Sequence, residues 1–189
     1  MTDDLASEPP YALWAQKYDA LNEECVGNLV QHISRVIKRH FPDQETVSIL
    51  DLGCGTGEIL ARLGSLVGPS SYGVDLSSDM IAMARAKDTR ATFIVGNMLE
   101  HTAGDLFDTV LSTQDALNYL PPEAHTAFFE RLQDFCHGGS LVYLDFDTAH
   151  DFEVAWDGQK HVFDAKTYKF VATLTNASRK LTVLFEYIV

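Results

Sequence analysis

The segment Ile49 to Glu58 (ILDLGCGTGE) restricts the fold of this chain more than any other. A short apolar run of buried-strand type leads into three glycines at alternate positions, 53, 55 and 57, and then into a helical pattern. Glycines permit a tight turn and let a ligand lie against bare backbone. A helix N-terminus behind them presents unpaired N–H groups and the positive end of a dipole. The next strand, Tyr72–Asp75, ends in an acid, where nucleotide-binding α/β folds place the group that accepts from ribose hydroxyls.

The rest of the chain repeats this alternation. Tyr11–Asn22 and Cys25–His40 show helical spacing, the second ending in Arg35, Lys38 and Arg39 before Pro42. Val47–Leu52, Tyr72–Asp75, Ala91–Val95, Phe107–Ser112 and Leu141–Phe146 are compact apolar runs. Helical patterns at Gly57–Leu66, after Ser77 or Ser78, and from Pro121-Pro122-Glu123 to about Cys136 separate them, the last stopped by Gly138-Gly139. Strands interleaved with helices predict a doubly wound, mostly parallel α/β sheet with helices on both faces. Thr167–Thr175 and Leu181–Val189 then alternate with period two around a polar loop, which predicts an added C-terminal antiparallel β segment.

Charge selects among the cofactors that such a loop serves. The dinucleotide fingerprint, G-x-G-x-x-G, makes room for a pyrophosphate. Here the third glycine comes one residue early, and Asp51 stands at the strand end where a pyrophosphate would be repelled. A cationic amine or sulfonium tolerates that carboxylate, which favours S-adenosylmethionine over NAD. The stretch ILDLGCGTGEIL closely resembles motif I of the class I, Rossmann-like S-adenosylmethionine-dependent methyltransferases of small-molecule type. GVDLSSDMIAMARAK resembles their second strand and following helix, and FDTVLSTQDALNYLPP their fourth strand and substrate-side loop.

The resemblance implies a cofactor site. The methionine end of S-adenosylmethionine (and of its product, S-adenosylhomocysteine) would lie against Gly53, Cys54, Gly55 and Gly57, with Asp51 on the amine side. Asp75 would hold the ribose, Leu76 and Met80 would pack the adenine, and Asn97 and the Met98 amide would meet the adenine edge. Ser112 and Thr113 would sit near the methionine moiety, and Tyr18, in a YD pair, in a helix closing over the cofactor. Methyl transfer is an in-line displacement at an already activated carbon, so alignment and exclusion of water dominate and a base is optional. If a base acts, Asp115 is the candidate, ahead of His101, His125 and His150. Asn118 and Tyr119 line the substrate side or pack the core; Tyr11 and Trp14 form a lid or anchor the N-terminal helix. Asp145, Asp147 and Asp151 recur near strand five, but their spacing matches no metal-dependent relative, and no metal is expected.

Composition narrows the partners. Fourteen basic against 27 acidic side chains leave a net charge of −13, which opposes binding to nucleic-acid phosphates. No apolar run reaches membrane-spanning length, and the acidic Met1–Pro10 lacks a secretory pattern. Cys25, Cys54 and Cys136 are odd in number and widely spaced, as in a reducing, cytoplasmic compartment. The expected organisation is a cofactor-binding core with an N-terminal helical cap over 1–150 and a β-rich insert or tail over 151–189, as a monomer or homodimer. The β-rich ending, without a preceding helix, is expected either from a chain shortened inside an insert or from a tail that supplies the closing hairpin. The expected function is methyl transfer from S-adenosylmethionine to a small-molecule acceptor. A catalytically silent cofactor-binding or regulatory module is the alternative, and an NAD-dependent oxidoreductase the weaker one.

Overall fold

The computed structural model of the chain describes residues 19, 20, 22–102, 104–146, 168–175 and 180–187. Helix α1 (Glu23–His40) carries Glu23 and Glu24 in the first turn and Lys38, Arg39 and His40 in the last, each sign matched to its end of the helix dipole. Val26, Leu29, Val30, Ile33 and Ile37 make its buried stripe. There follow β1 (Ile49–Leu52), α2 (Glu58–Leu63), β2 (Tyr72–Asp75), α3 (Ser78–Arg85), β3 (Thr92–Val95), β4 (Phe107–Ser112), α4 (His125–Phe135) and β5 (Cys136–Phe146). Strands β6 (Tyr168–Thr175) and β7 (Lys180–Tyr187) complete the series.

The sheet order is β3-β2-β1-β4-β5-β6-β7. The first five strands are mutually parallel, while β6 pairs antiparallel to β5 and β7 to β6. Alternation along the parallel strands divides the core into two layers. Ile49, Leu111, Leu141 and Tyr143 point to the side covered by α1, α2 and α3. Leu50, Leu52, Val110, Val142 and Leu144 point to the side covered by Phe128, Leu132 and Phe135 of α4. Burial on both faces explains why these strands read as continuous apolar runs.

The chain steps from β1 outward to β3, then returns to lay β4 on the other side of β1. That reversal opens a crevice at the C-terminal ends of β1 and β4, the place where open α/β sheets bind ligands. Both the glycine loop and the turn after Ser112 lie at this crevice.

Two of the boundaries that differ from the sequence expectation are instructive. Helix α2 stops at Leu63 and the chain tightens into a 3₁₀ turn over Gly64–Leu66. Helix α4 gives way directly to β5 at Cys136, so Gly138 and Gly139 lie inside a strand instead of between elements. They form an irregularity: pairing jumps from Phe107↔Cys136 to Thr109↔Leu141, and Gly139 takes φ +98°. Ser140 stitches this gap by donating to the Phe107 carbonyl at 2.6 Å and accepting from the His137 amide at 2.9 Å. A glycine pair breaks a helix and accommodates a bulge equally well, and buried Phe135 and Cys136 tip the choice.

Candidate functional site

The loop after β1 is held by its neighbour strand. The amides of Gly53 and Cys54 both donate to the Val74 carbonyl, at 2.8 and 3.0 Å. Gly53 and Gly57 have no alternative residue: a Cβ on Gly53 would stand 2.5 Å from that of Ala116, and one on Gly57 2.7 Å from the Phe93 ring. Their φ angles, +81° and +69°, add a conformational reason. Gly55 is different. A Cβ there would meet nothing within 4 Å among the described residues, so its backbone is open toward them.

Asp75, ending β2, braces this loop. Its Oδ2 accepts the Gly55 amide at 2.8 Å and its Oδ1 the Ser77 amide at 2.9 Å. Each oxygen retains a lone pair for a further donor. Ser77 in turn caps α3 by accepting the Met80 amide, and Met80 is buried while Leu76, beside Asp75, is 71% exposed.

Asp51 carries the unusual chemistry. It is the penultimate residue of β1, is 1% exposed, and neither carboxylate oxygen has a hydrogen-bond partner among the described residues. Its pKa is pushed up to about 7, first by burial and then by the fields of Asp75 and Asp145. A buried, unpartnered carboxylate is costly and calls for a donor or cation at this point. Burial and then the fields of Asp51 and Asp75 raise the Cys54 thiol well above its usual value, which leaves it an inert neutral group.

On the other wall, β4 ends at Ser112 and is followed by Thr113, both buried. The Ser112 hydroxyl donates to the Leu52 carbonyl at 2.9 Å, tying β4 to β1. The following turn is strained: Gln114 and Asp115 adopt φ +55° and +62°, a region side chains rarely enter. The Asp115 amide is held by buried Asp145 Oδ1 at 3.3 Å. The turn then presses Ala116 onto Gly53, with Met98 Cε on the same side, and leaves Asp115, Asn118 and Tyr119 exposed.

The expected site residues thus fall into groups. Asp51, the glycine loop, Asp75, Leu76, Met98, Ser112, Thr113 and Asp115 come together at the crevice. Asn97 is otherwise engaged: its Oδ1 accepts the Leu99 amide at 2.9 Å and its Nδ2 donates to Glu100 at 3.4 Å. The histidines hold structure, His125 Nε2 lying 3.3 Å from the Leu117 carbonyl and His101 stacking on Phe135. Tyr11, Trp14, Tyr18, His150, Asp147 and Asp151 lie outside the described residues. Among the described residues no group of three or more His, Cys, Asp or Glu is arranged to hold a metal ion, and no helix is long and apolar enough to cross a membrane. Sequence reasoning missed Asp145 as a member of this site; its parity with Leu141 and Tyr143 on β5 was the available signal, since it puts Asp145 on the face that Asp51 shares with Ile49.

The residues fit S-adenosylmethionine: a buried carboxylate without a partner, an open glycine backbone and a fixed acid with spare lone pairs match an amine, a methionine chain and a ribose.

Comparison with known proteins points the same way. A family model described as a methyltransferase domain matches residues 49–139. The dTDP-3-amino-3,4,6-trideoxy-alpha-D-glucopyranose N,N-dimethyltransferase of Streptomyces venezuelae is 36% identical over 117 residues, covering 59% of this chain and 48% of that protein. Among solved structures, DesVI of Streptomyces venezuelae superposes with a TM-score of 0.65 at 20% identity, over 95% of this chain and 82% of that one. The plantazolicin methyltransferase BpumL in complex with SAH gives 0.66 at 19% identity, over 82% of this chain and 60% of that one. The chain spans 60% or less of the length of the curated relatives it matches.

Proposed function

We propose that the chain is a class I, Rossmann-like S-adenosylmethionine-dependent methyltransferase and that it methylates a small-molecule acceptor. One observation carries the reading: Asp51 is buried at the switch point with both oxygens unpartnered among the described residues, beneath a glycine loop whose central backbone none of them covers. A pyrophosphate would worsen the charge there; a methionine amine relieves it.

The bound cofactor supplies a methyl group already activated by positive sulfur. The protein's own part is placement. Asp51 takes the amine, Gly53, Gly55 and Gly57 admit the methionine chain, and Asp75 orients the ribose while Leu76 and Met80 flank the base. If a base acts, it is Asp115, on the strained turn that Asp145 secures, that receives the proton an acceptor releases. Asn118 and Tyr119 flank the acceptor. Residues 1–150 form the cofactor-binding core with its N-terminal cap, and 151–189 a β-rich insert or tail. The negative charge that repels nucleic acid goes with small neutral or cationic acceptors, and the three thiols with a cytoplasmic protein acting as a monomer or homodimer.

The experiment is calorimetric titration of the purified chain with S-adenosylhomocysteine, with NAD as control. The proposal expects binding of the first, none of the second, and loss of binding in Asp75→Ala. Binding of NAD in place of S-adenosylhomocysteine would refute it.

A further inference from the structure

Beside the glycine loop lies a polar cluster that the cofactor assignment leaves unused. Lys87, just past α3, is largely buried, its side chain 19% exposed. Its ammonium meets Asp19 Oδ2 at 2.7 Å, Thr56 Oγ1 at 3.1 Å and Glu58 Oε2. An ammonium has three N–H donors and no acceptor, and here each donor has its own oxygen.

The convergence point is Thr56, the residue between Gly55 and Gly57. It is 2% exposed, and its hydroxyl donates to Asp19 Oδ1 at 2.5 Å while it accepts from Lys87. Glu58, the first residue of α2, is gripped by Lys87 and also by Arg62 at 2.5 Å. Burial acts to raise the Glu58 pKa, but the bonds from Lys87 and Arg62 outweigh it and hold the carboxyl below its ordinary value. Three remote parts of the chain are therefore fastened together around the loop: the stretch before α1, the loop itself and the segment after α3. Isolated exposed ion pairs contribute little, but a network closed around a buried hydroxyl has one geometry in which every member is satisfied.

We propose that Lys87 is a positioning residue for the cofactor loop: by clamping Asp19, Thr56 and Glu58 it holds Gly55–Gly57, before any ligand arrives, in the form that receives the methionine end of the cofactor. This rests on the functional reading above. It explains a lysine at this position, because a flexible point charge reaches three divergent oxygens that a planar guanidinium does not. Without the clamp the loop has glycine freedom to lose on binding, and affinity falls.

The test measures amide hydrogen exchange of residues 53–57 in the free protein, and the Kd for S-adenosylhomocysteine, in Lys87→Met, Thr56→Val and Thr56→Ser. Lys87→Met and Thr56→Val are expected to speed exchange at the loop and to weaken binding about tenfold, the loss of one charge-assisted bond. Thr56→Ser, which keeps the hydroxyl, is expected to stay near the parent in both. A folded Lys87→Met protein with parental loop exchange and parental Kd overturns the proposal, even if it melts earlier. Should Lys87→Met fail to fold, the Thr56 pair decides by the same two readouts. Should the parent bind no S-adenosylhomocysteine, the functional reading falls, and loop exchange alone then judges the clamp.

Discussion

Two aspartates near opposite ends of the same parallel sheet are treated in opposite ways. Asp108, entering β4, accepts the Ser48 amide and hydroxyl, both at 2.8 Å, and lies 3.2 Å from His137 Nε2. Asp51, near the end of β1, is more deeply buried and accepts nothing from the described residues. At the first end polar groups close on one another: Ser140 joins Phe107 to His137, and His40 Nε2 meets the Gly139 carbonyl at 2.8 Å. At the second end Asp51 is left open, Gln114 and Asp115 are strained, and Leu76 is bare. One end spends its polar groups on holding the strands together. The other keeps some of them unspent, a stability cost that a ligand removes.

The largest expected effect breaks the second end. Gly53→Ala drives a Cβ into Ala116 at a positive φ, so S-adenosylhomocysteine binding should disappear and stability should fall by roughly 2–4 kcal/mol, as read by calorimetry and denaturant unfolding.

Next come the two aspartates as a pair, which sharpens the contrast. Asp51→Asn removes a buried unpaired charge, so the free protein should gain about 1–3 kcal/mol at pH 8 while affinity for S-adenosylhomocysteine drops at least about tenfold. Asp108→Asn should do the reverse, costing about 1–2 kcal/mol and leaving that affinity unchanged. Asp51 and Asp108 shifting both quantities in the same direction would erase the distinction.

A smaller effect comes from pH. The folded pKa of Asp51 lies above its unfolded value, at about 7 against 3.8. Its contribution to stability is therefore fully present below the unfolded value and is lost as pH rises through about 7. Cofactor binding runs the other way, since an amine prefers the ionised carboxylate. Thermal melts of the free protein and S-adenosylhomocysteine titrations from pH 5.5 to 8, on the order of one unit either side of that midpoint, should show opposite slopes, and Asp51→Asn should flatten both. Smallest is Ser140→Ala, expected to cost about 1 kcal/mol through the Phe107 carbonyl it leaves unpaired, with no change in binding.

The legible parts of this molecule were those written in contiguous residues. Asp51, the alternating glycines and Asp75 could be placed because strand, loop and helix follow one another directly, and the five parallel strands because each is a closed apolar run. The Gly138-Gly139 pair was misplaced because a bulge and a helix stop share one local signature, and only the buried anchors on either side decide. Lys87 and Asp19 escaped for another reason: each acquires its role from residues brought near by the fold, with no spacing in the chain to announce it, whereas Asp145 had only its parity along β5.

The central claim is that Asp51 is the unsatisfied partner of the cofactor's amine. Its most direct test is calorimetric titration with S-adenosylhomocysteine near pH 7 in two buffers of unlike ionisation heat, on the parent chain and on Asp51→Asn. The account predicts that the parent releases protons on binding, because the amine forces Asp51 to ionise, and that this release disappears in Asp51→Asn. Binding by the parent without proton release, or with the same release in Asp51→Asn, would contradict it.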